Sequence, residues 1–332
     1  MKAKLARWLQ DAWYSEMYLS AWFVPLSLLY VDAIRLRRWL YRVGVYKTVK
    51  LPVPVIIVGN LTVGGTGKTP LVVWLVELLR SQGYQPGVIS RGYAGETQIS
   101  PQTVTADSNP AQVGDEALLL ARRCHCPVAV HRDRPAAARH LLANFPCNVI
   151  ISDDGLQHYA LARDIEIVVV DGQRRFGNGY CLPTGPLREP TERLKQVDYV
   201  VANGGEAEPG EIAMQCRGET LVNLQTGEHK VLSAFAVQKC RAIAGIGNPQ
   251  RFFRQLAAAG LDCETIAFPD HHAFAADDLA FNDERPLLMT EKDAVKCAAF
   301  ARSNHWYLPI SAELPETFAE HLLKLLKEKS HG

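Results

Sequence analysis

The chain has 332 residues, of which 48% are hydrophobic and 21% charged, with a formal net charge of +1. That balance excludes a disordered polar chain, supplies apolar surface for a sizeable core, and at this length accommodates two domains or one large domain with an appendage. Among its eight cysteines only Cys124 and Cys126 lie close together, and no CxxC accompanies a second CxxC or an HxxxH at zinc spacing, so reduced thiols are expected and not a disulfide frame. No nucleic-acid partner is expected.

The basic end is the N-terminus: residues 1–50 carry nine Lys/Arg against three Asp/Glu, leaving the remainder acidic. An apolar stretch from about Tyr18 to Val31 is roughly 14 residues, short of the ~20 that a membrane-crossing helix needs. It has no small-residue cleavage site after it, as a secretory signal would. Tryptophans at 8, 13, 22 and 39, with Tyr14, Tyr18, Tyr30, Tyr41 and flanking arginines, suit a helix lying in the headgroup region of an anionic membrane surface. A helix packed on its own domain fits the same composition, and the residues alone leave both readings open.

From Leu51 the texture is alternating strands and helices. "VPVIIVGN" reads as a buried strand, Lys68 to Gln82 as a helix with Pro70 in its first turn, and "PGVIS" as a second strand. Helix "GDEALLLARR", strand "CPVAV", helix "RPAAARHLLANF" and strands "NVIIS", "IEIVVVD" and "DYVVAN" come next. This alternation predicts an α/β fold with a mostly parallel sheet covered by helices on both faces, and the glycine-rich turn after its first strand makes it one of the phosphate-loop type. "ETLVNLQTGEHKVLSAF" reads as two short strands around a turn, and a second α/β pattern starts at Arg241 and ends in the helix "FAEHLLKLLKEK". The expected division is an N-terminal amphipathic segment at 1–50, a nucleotide-binding domain at 51–215, a two-stranded linker at 216–240 and a smaller α/β domain at 241–332.

The chemistry concentrates in "IIVGNLTVGGTGKTP". Gly67, Lys68 and Thr69 meet the phosphate-loop pattern G-x-x-x-x-G-K-[ST], although Thr62 stands where the first glycine is expected. Gly64 and Gly65 still allow a tight turn, so amides along Gly64, Gly65, Thr66 and Gly67 can face the phosphates of a nucleoside triphosphate at the positive end of a helix. Lys68 then bridges the β- and γ-phosphates and Thr69 holds Mg2+. Such a loop needs an acid at a neighbouring strand end. "NVIISDDGLQH" supplies Asp153 and Asp154 there, as metal ligands or as an Asp-Asp-Gly cap.

Further polar clusters fall at strand ends on the same edge. "SRGY" brings Arg91 and Tyr93, and "VGDEA" brings Asp115 and Glu116 to a helix start, where acids also serve the helix dipole alone. "DGQRRFGNGYCLPTGPLREP" has the Gly, Pro and Arg content of a binding loop. Its Arg174, Arg175 and Arg188 suit bidentate capture of a phosphate, or else are simply solvated. Gln157 and His158 in "DDGLQH" join Arg91 and Tyr93 as substrate-binding candidates. "FPDHHAF" is a loop cap by Asp270 with two histidines, or something more, and "TEKDAVK" belongs near the nucleotide or a domain interface.

Taken together, "GNLTVGGTGKTP", "SRGY", "VGDEA", "DDGLQH", "GNGYCLPTGPLREP", "IAGIGNPQRFF", "FPDHHAF" and "TEKDAVK" resemble, in this order, the tetraacyldisaccharide 4'-kinase family, over roughly residues 20 to 310. The resemblance implies ATP-dependent phosphorylation of the 4'-hydroxyl of a tetraacylated glucosamine disaccharide 1-phosphate in lipid A biosynthesis. It also implies action at the cytoplasmic face of the inner membrane, with a membrane-associated N-terminal helix; no obligate protein partner is inferred. It makes Asp115 and His271 a pair beside the acceptor hydroxyl, with His272 the rival by one position. A different class stays in view: a regulatory or transport NTPase whose second domain binds a protein partner and whose ATP turnover ignores all lipid acceptors.

Overall fold

The computed structural model describes residues 12–14, 23–92 and 100–330. Tyr93 and the N-terminal Trp8, Tyr18 and Trp22 lie outside the described residues.

Two sheets carry the chain. The larger has nine strands, in the order β15 (Ser311–Glu313), β8 (Ile212–Arg217), β7 (Tyr199–Asn203), β6 (Ile165–Asp171), β1 (Val55–Gly59), β5 (Val149–Asp153), β2 (Pro86–Ser90), β4 (Val128–Val130) and β3 (Gln102–Val104). It is parallel from β8 to β4, and only the edge strands β15 and β3 run antiparallel. Central strands buried on both faces read as unbroken apolar runs, and β1 does so with all five residues buried. Its side chains divide between faces: Ile56 and Val58 pack with α2 (Lys68–Ser81) and α4 (Asp115–Cys124), whereas Val55 and Ile57 pack with α5 (Arg134–Asn144). One turn, α3 (Pro110–Val113), leads into α4.

The smaller sheet has six strands, in the order β10 (His229–Val231), β9 (Thr220–Asn223), β14 (His305–Leu308), β13 (Leu287–Thr290), β11 (Cys240–Ala244) and β12 (Cys263–Ala267). Helices α6 (Pro249–Ala258) and α7 (Glu291–Cys297) accompany it.

The chain does not divide between the sheets at the expected points. Within 216–240 the two expected short strands are present as the antiparallel hairpin β9–β10, but this hairpin forms one edge of the smaller sheet, while β8 before it extends the larger one. The stretch 241–332 serves both sheets, because β15 returns to pair with β8, and α8 (Glu316–Ser330) packs on the larger sheet through Phe318, Leu322 and Leu326. Two chain crossings therefore join the sheets, one between β8 and β9 and one between β14 and β15. They lie side by side, since a β-carbon on Gly218 would stand 2.5 Å from the Pro309 carbonyl oxygen. A three-residue strand has too short a period to read from sequence, and the apolar spacing of α8 does not say which sheet it faces.

Near the N-terminus, α1 (Val24–Arg42) docks along one side. Ser27 donates to the Cys181 carbonyl at 2.9 Å and Tyr30 to the Arg188 carbonyl at 3.1 Å. Its other side leaves Leu26, Leu28, Leu29, Leu36 and Trp39 exposed, with Leu29 at 66%. The packed reading therefore holds for one side of the helix, and the apolar opposite side is exposed. Among the described residues no helix is long and apolar enough to cross a membrane.

Phe318 stacks on Trp74 of α2 with ring centroids 5.5 Å apart and meets Tyr199 edge-on at 5.1 Å. Removing such a buried ring costs about 3–5 kcal/mol. Phe318→Ala is expected to lower the unfolding free energy, measured by denaturant titration with fluorescence, by that amount. A midpoint within error of the parent would mean that α8 is dispensable to the larger sheet.

Candidate active site

The apolar run of β1 ends at Gly59, and Asn60 organises the loop beyond it. Its side-chain amide donates to the Thr62 carbonyl at 2.8 Å and the Gly64 carbonyl at 3.3 Å, while its oxygen accepts from Lys68 Nζ at 3.2 Å. Gly67 caps α2 with φ of 96°, a left-handed conformation that favours glycine. The Asn203 side chain donates to the Thr66 carbonyl at 2.9 Å and fills the space that a Gly67 β-carbon would need. The glycines thus let the loop curl at the helix start while Asn60 and Asn203 hold it from two sides. A second backbone closes over it: a β-carbon on Gly247, in the turn after β11, would stand 2.4 Å from the Gly65 nitrogen.

Strand β5 runs beside β1 with Asp153 opposite Val58, which brings the Asp153–Asp154 pair to the mouth of the loop. The two acids differ. Asp154 meets Lys68 at 3.5 Å and Arg188 at 3.0 Å; burial opposes its charge, but Lys68 and Arg188 hold its pKa far below the usual carboxylate range. Asp153 is buried, its Oδ1 has no hydrogen-bond partner among the described residues, and burial with the nearby Glu116 pushes its pKa up to about 7. A desolvated carboxylate with an unmatched oxygen fits a place for a cation. Thr69 sits half-buried in the first turn of α2. Among the described residues no three His, Cys, Asp or Glu form a metal cluster. This donor set suits Mg2+, which takes one or two carboxylates together with phosphate oxygens and water.

Across the sheets, His271 Nδ1 lies 3.2 Å and 3.1 Å from the two carboxylate oxygens of Asp115. Gly114 caps α4, and Asp115 opens it, buried to 7% exposure. Burial works against the Asp115 charge, but the His271 hydrogen bond and the Lys292 ammonium outweigh it and hold the pKa at about 2. The same hydrogen bond raises the His271 pKa. His272 points elsewhere: it bonds Asp278 at 3.0 Å and packs between Phe268 and Phe274. Of the two histidines, His271 is the one that meets Asp115.

A cavity of about 370 Å³ starts at Asp115 and extends to Tyr30, Ile34 and Arg37 of α1. Arg91, Gln157, His158 and Arg188 line it, as does Arg134, which the sequence reading missed. Arg134 is 1% exposed; it donates to the Asp153 carbonyl at 2.7 Å, yet its Nε and Nη1 have no partner among the described residues. Burial and the Arg134 charge push the His158 pKa down to about 3, so its ring is neutral at physiological pH. Arg174 and Arg175 do not line this cavity. Arg175 forms a two-pronged pair with Glu211 at 2.9 and 2.7 Å, and Arg174 donates to the Gly247 carbonyl at 3.1 Å, bracing the turn over the phosphate loop.

A family model described as Tetraacyldisaccharide-1-P 4'-kinase, LpxK, matches residues 19–327. The chain belongs to this family. It is 54% identical over 316 residues to the tetraacyldisaccharide 4'-kinase of Nitrosococcus oceani, covering 95% of this chain and 93% of the relative. It is 53% identical over 328 residues to that of Methylobacillus flagellatus, covering 98% of each. Among solved structures, LpxK from Aquifex aeolicus in complex with ATP aligns with a TM-score of 0.77 at 29% identity, over 92% of this chain and 98% of that one. The chain is thus a P-loop kinase, and the regulatory or transport NTPase reading is not favoured.

Several residues of this kinase escaped the sequence reading because their roles are backbone or cross-sheet ones. Arg134 had a usable signal: in "HRDRP" it comes after β4 at a strand-to-helix junction on the same sheet edge as Arg91 and Asp153. Asn60 and Gly247 had none, since neither the curl of the loop nor the approach of a distant backbone leaves a local pattern. Gly247→Ala is expected to force the two backbones apart and to raise KM for ATP on the order of tenfold with kcat less affected. An unchanged KM in steady-state assays would show that the turn after β11 does not cover the nucleotide.

Proposed function

We propose that the chain transfers the γ-phosphoryl group of ATP to the 4'-hydroxyl of a tetraacylated glucosamine disaccharide 1-phosphate. The observation that carries this reading is the Asp115–His271 contact at the head of a cation-lined cavity that opens toward an exposed apolar helix. ATP rests in the loop from Gly64 to Thr69, with Lys68 on its β- and γ-phosphates. Asp153 and Thr69, with Asp154 behind them, would hold Mg2+, which neutralises developing phosphate charge when bound.

Asp115 is ionised at neutral pH and orients the acceptor hydroxyl. The acceptor oxygen bonds to the γ-phosphorus as the bridging bond to the β-phosphate breaks, ADP leaves, and the hydroxyl proton passes to the Asp115–His271 pair. Arg134, Arg91 and Arg188 supply positive charge along the cavity for the anionic sugar, with Gln157 and His158 as neutral hydrogen-bonding groups. Asp115→Ala and His271→Ala are each expected to lower kcat by on the order of 10²-fold, and the double variant to lose less than their product. Independent, multiplicative losses, or a larger loss in His272→Ala, would falsify the pairing.

The acyl chains account for the helix. Drawing each CH₂ into water costs about 0.8 kcal/mol, so the enzyme must meet its acceptor at the bilayer. Exposed Leu28 and Leu29 enter the cytoplasmic leaflet of the inner membrane, and Arg35 and Arg42 face its anionic headgroups. Leu28→Ser with Leu29→Ser is expected to reduce partition onto anionic vesicles and to raise KM for vesicle-presented acceptor more than for acceptor in detergent. Partition equal to the parent's would exclude this face from the membrane contact.

A further inference from the structure

Helix α7 joins the smaller sheet to the larger through its first two residues. Glu291 accepts from Arg123 near the end of α4 at 2.7 Å, and Lys292 reaches Glu116 near its start at 2.8 Å. The Lys292 ammonium also lies 3.6 Å from Asp270 and 3.9 Å from Asp115, with its side chain 16% exposed. Three carboxylates thus share one cation: Asp115 and Glu116 come from the larger sheet's helix, and Asp270 from the turn after β12. Without that charge they would repel across a half-buried gap. Asp270 immediately precedes His271, whose φ of 57° is a left-handed conformation that a β-carbon disfavours. The turn that aims the imidazole therefore depends on what holds Asp270. Thr290 and Asp293 fix α7 itself: the Thr290 hydroxyl donates to Asp293 at 2.7 Å, and Asp293 accepts from the Gly245 amide at 2.9 Å.

We propose that Lys292 is a positioning residue for phosphoryl transfer: its ammonium holds the Asp270–His271 turn against the Asp115 end of α4 and so sets the geometry of the acid–base pair. This inference rests on the reading of Asp115 and His271 given above. Lys292 acts through those groups and through Glu116. The charged groups facing the pair are Glu116 from α4, Asp270 from the turn, and Lys292 and Lys296 from α7. Lys292 lowers the proton affinity of both Asp115 and His271. Its removal therefore raises both, and the acid limb of the kcat profile moves to higher pH whichever partner carries the proton.

The test uses the full chain with ATP, Mg2+ and tetraacyldisaccharide 1-phosphate in detergent micelles. In Lys292→Met, kcat is expected to fall at least about tenfold with both KM values within about twofold, and its acid limb to shift upward. Lys292→Arg keeps the charge and is expected to recover kcat to within about threefold of the parent. Lys292→Gln, closer to lysine in polarity, is measured alongside in case methionine is not tolerated, and carries the same expectations. Parental kcat and an unmoved acid limb in the uncharged variants, with Asp115→Asn inactive, would overturn the role of Lys292 alone. A fully active Asp115→Asn would overturn the reading of the pair on which it rests.

Discussion

The turn after β11 lies so near the phosphate loop that a β-carbon on Gly247 would collide with the Gly65 nitrogen. Backbone against backbone is a demanding contact, because it admits only glycine at position 247 and leaves polar groups to be matched on each side. It is braced all round. Asn248 and Arg251 reach Asp171 at 3.3 and 3.0 Å, Arg174 takes the Gly247 carbonyl, and Asp293 takes the Gly245 amide. The braces come from β6, the loop after it and α7, so both sheets must be in register before the loop is enclosed. The Asp115–His271 pair spans the same cleft, so the covering of the loop and the contact of that pair depend on one alignment.

The electrostatics stem from burial. Asp115, Asp153, Arg134 and Lys292 are all largely withdrawn from water, where an uncompensated charge is costly. The protein divides the compensation: Lys292 and His271 serve Asp115, while Lys68 and Arg188 serve Asp154. Asp153 and Arg134 retain polar atoms without partners among the described residues. These are two places where an incoming cation and an incoming anion gain most, since each meets a group that has already lost its water. Lys68 pairs with Asp154 across 3.5 Å, and on the proposed function an arriving triphosphate would compete with Asp154 for it.

Much of the larger sheet was legible because its central strands are unbroken apolar runs ended by Gly, Asp or Ser, and its helices begin at recognisable caps. The phosphate loop was legible for the same reason, since strand, glycines and Gly-Lys-Thr succeed one another within about a dozen residues. What escaped was relational. Strand β8 alternates weakly near an edge, β15 is three residues long, and neither betrays that the chain returns to its first sheet. Within the site, Asp115 and His271 are 156 residues apart, and no local pattern pairs them; the family resemblance did. Composition left Arg174 and Arg175 as phosphate ligands or solvated cations, because sequence shows charge without its partners; in the structure Arg175 pairs with Glu211 and Arg174 donates to the Gly247 carbonyl.

The late return of β15 and α8 bears on how the molecule is made. Residues 219–308, which hold every strand of the smaller sheet, form one uninterrupted stretch and emerge from the ribosome together. The larger sheet begins earlier but lacks one edge strand, and the ring that stacks on Trp74, until residues 311–330 arrive. During synthesis the first-made half therefore exposes the apolar face of α2 and an unpaired β8 edge while its neighbour completes. Unpaired edges and open apolar faces favour wrong associations in nascent chains.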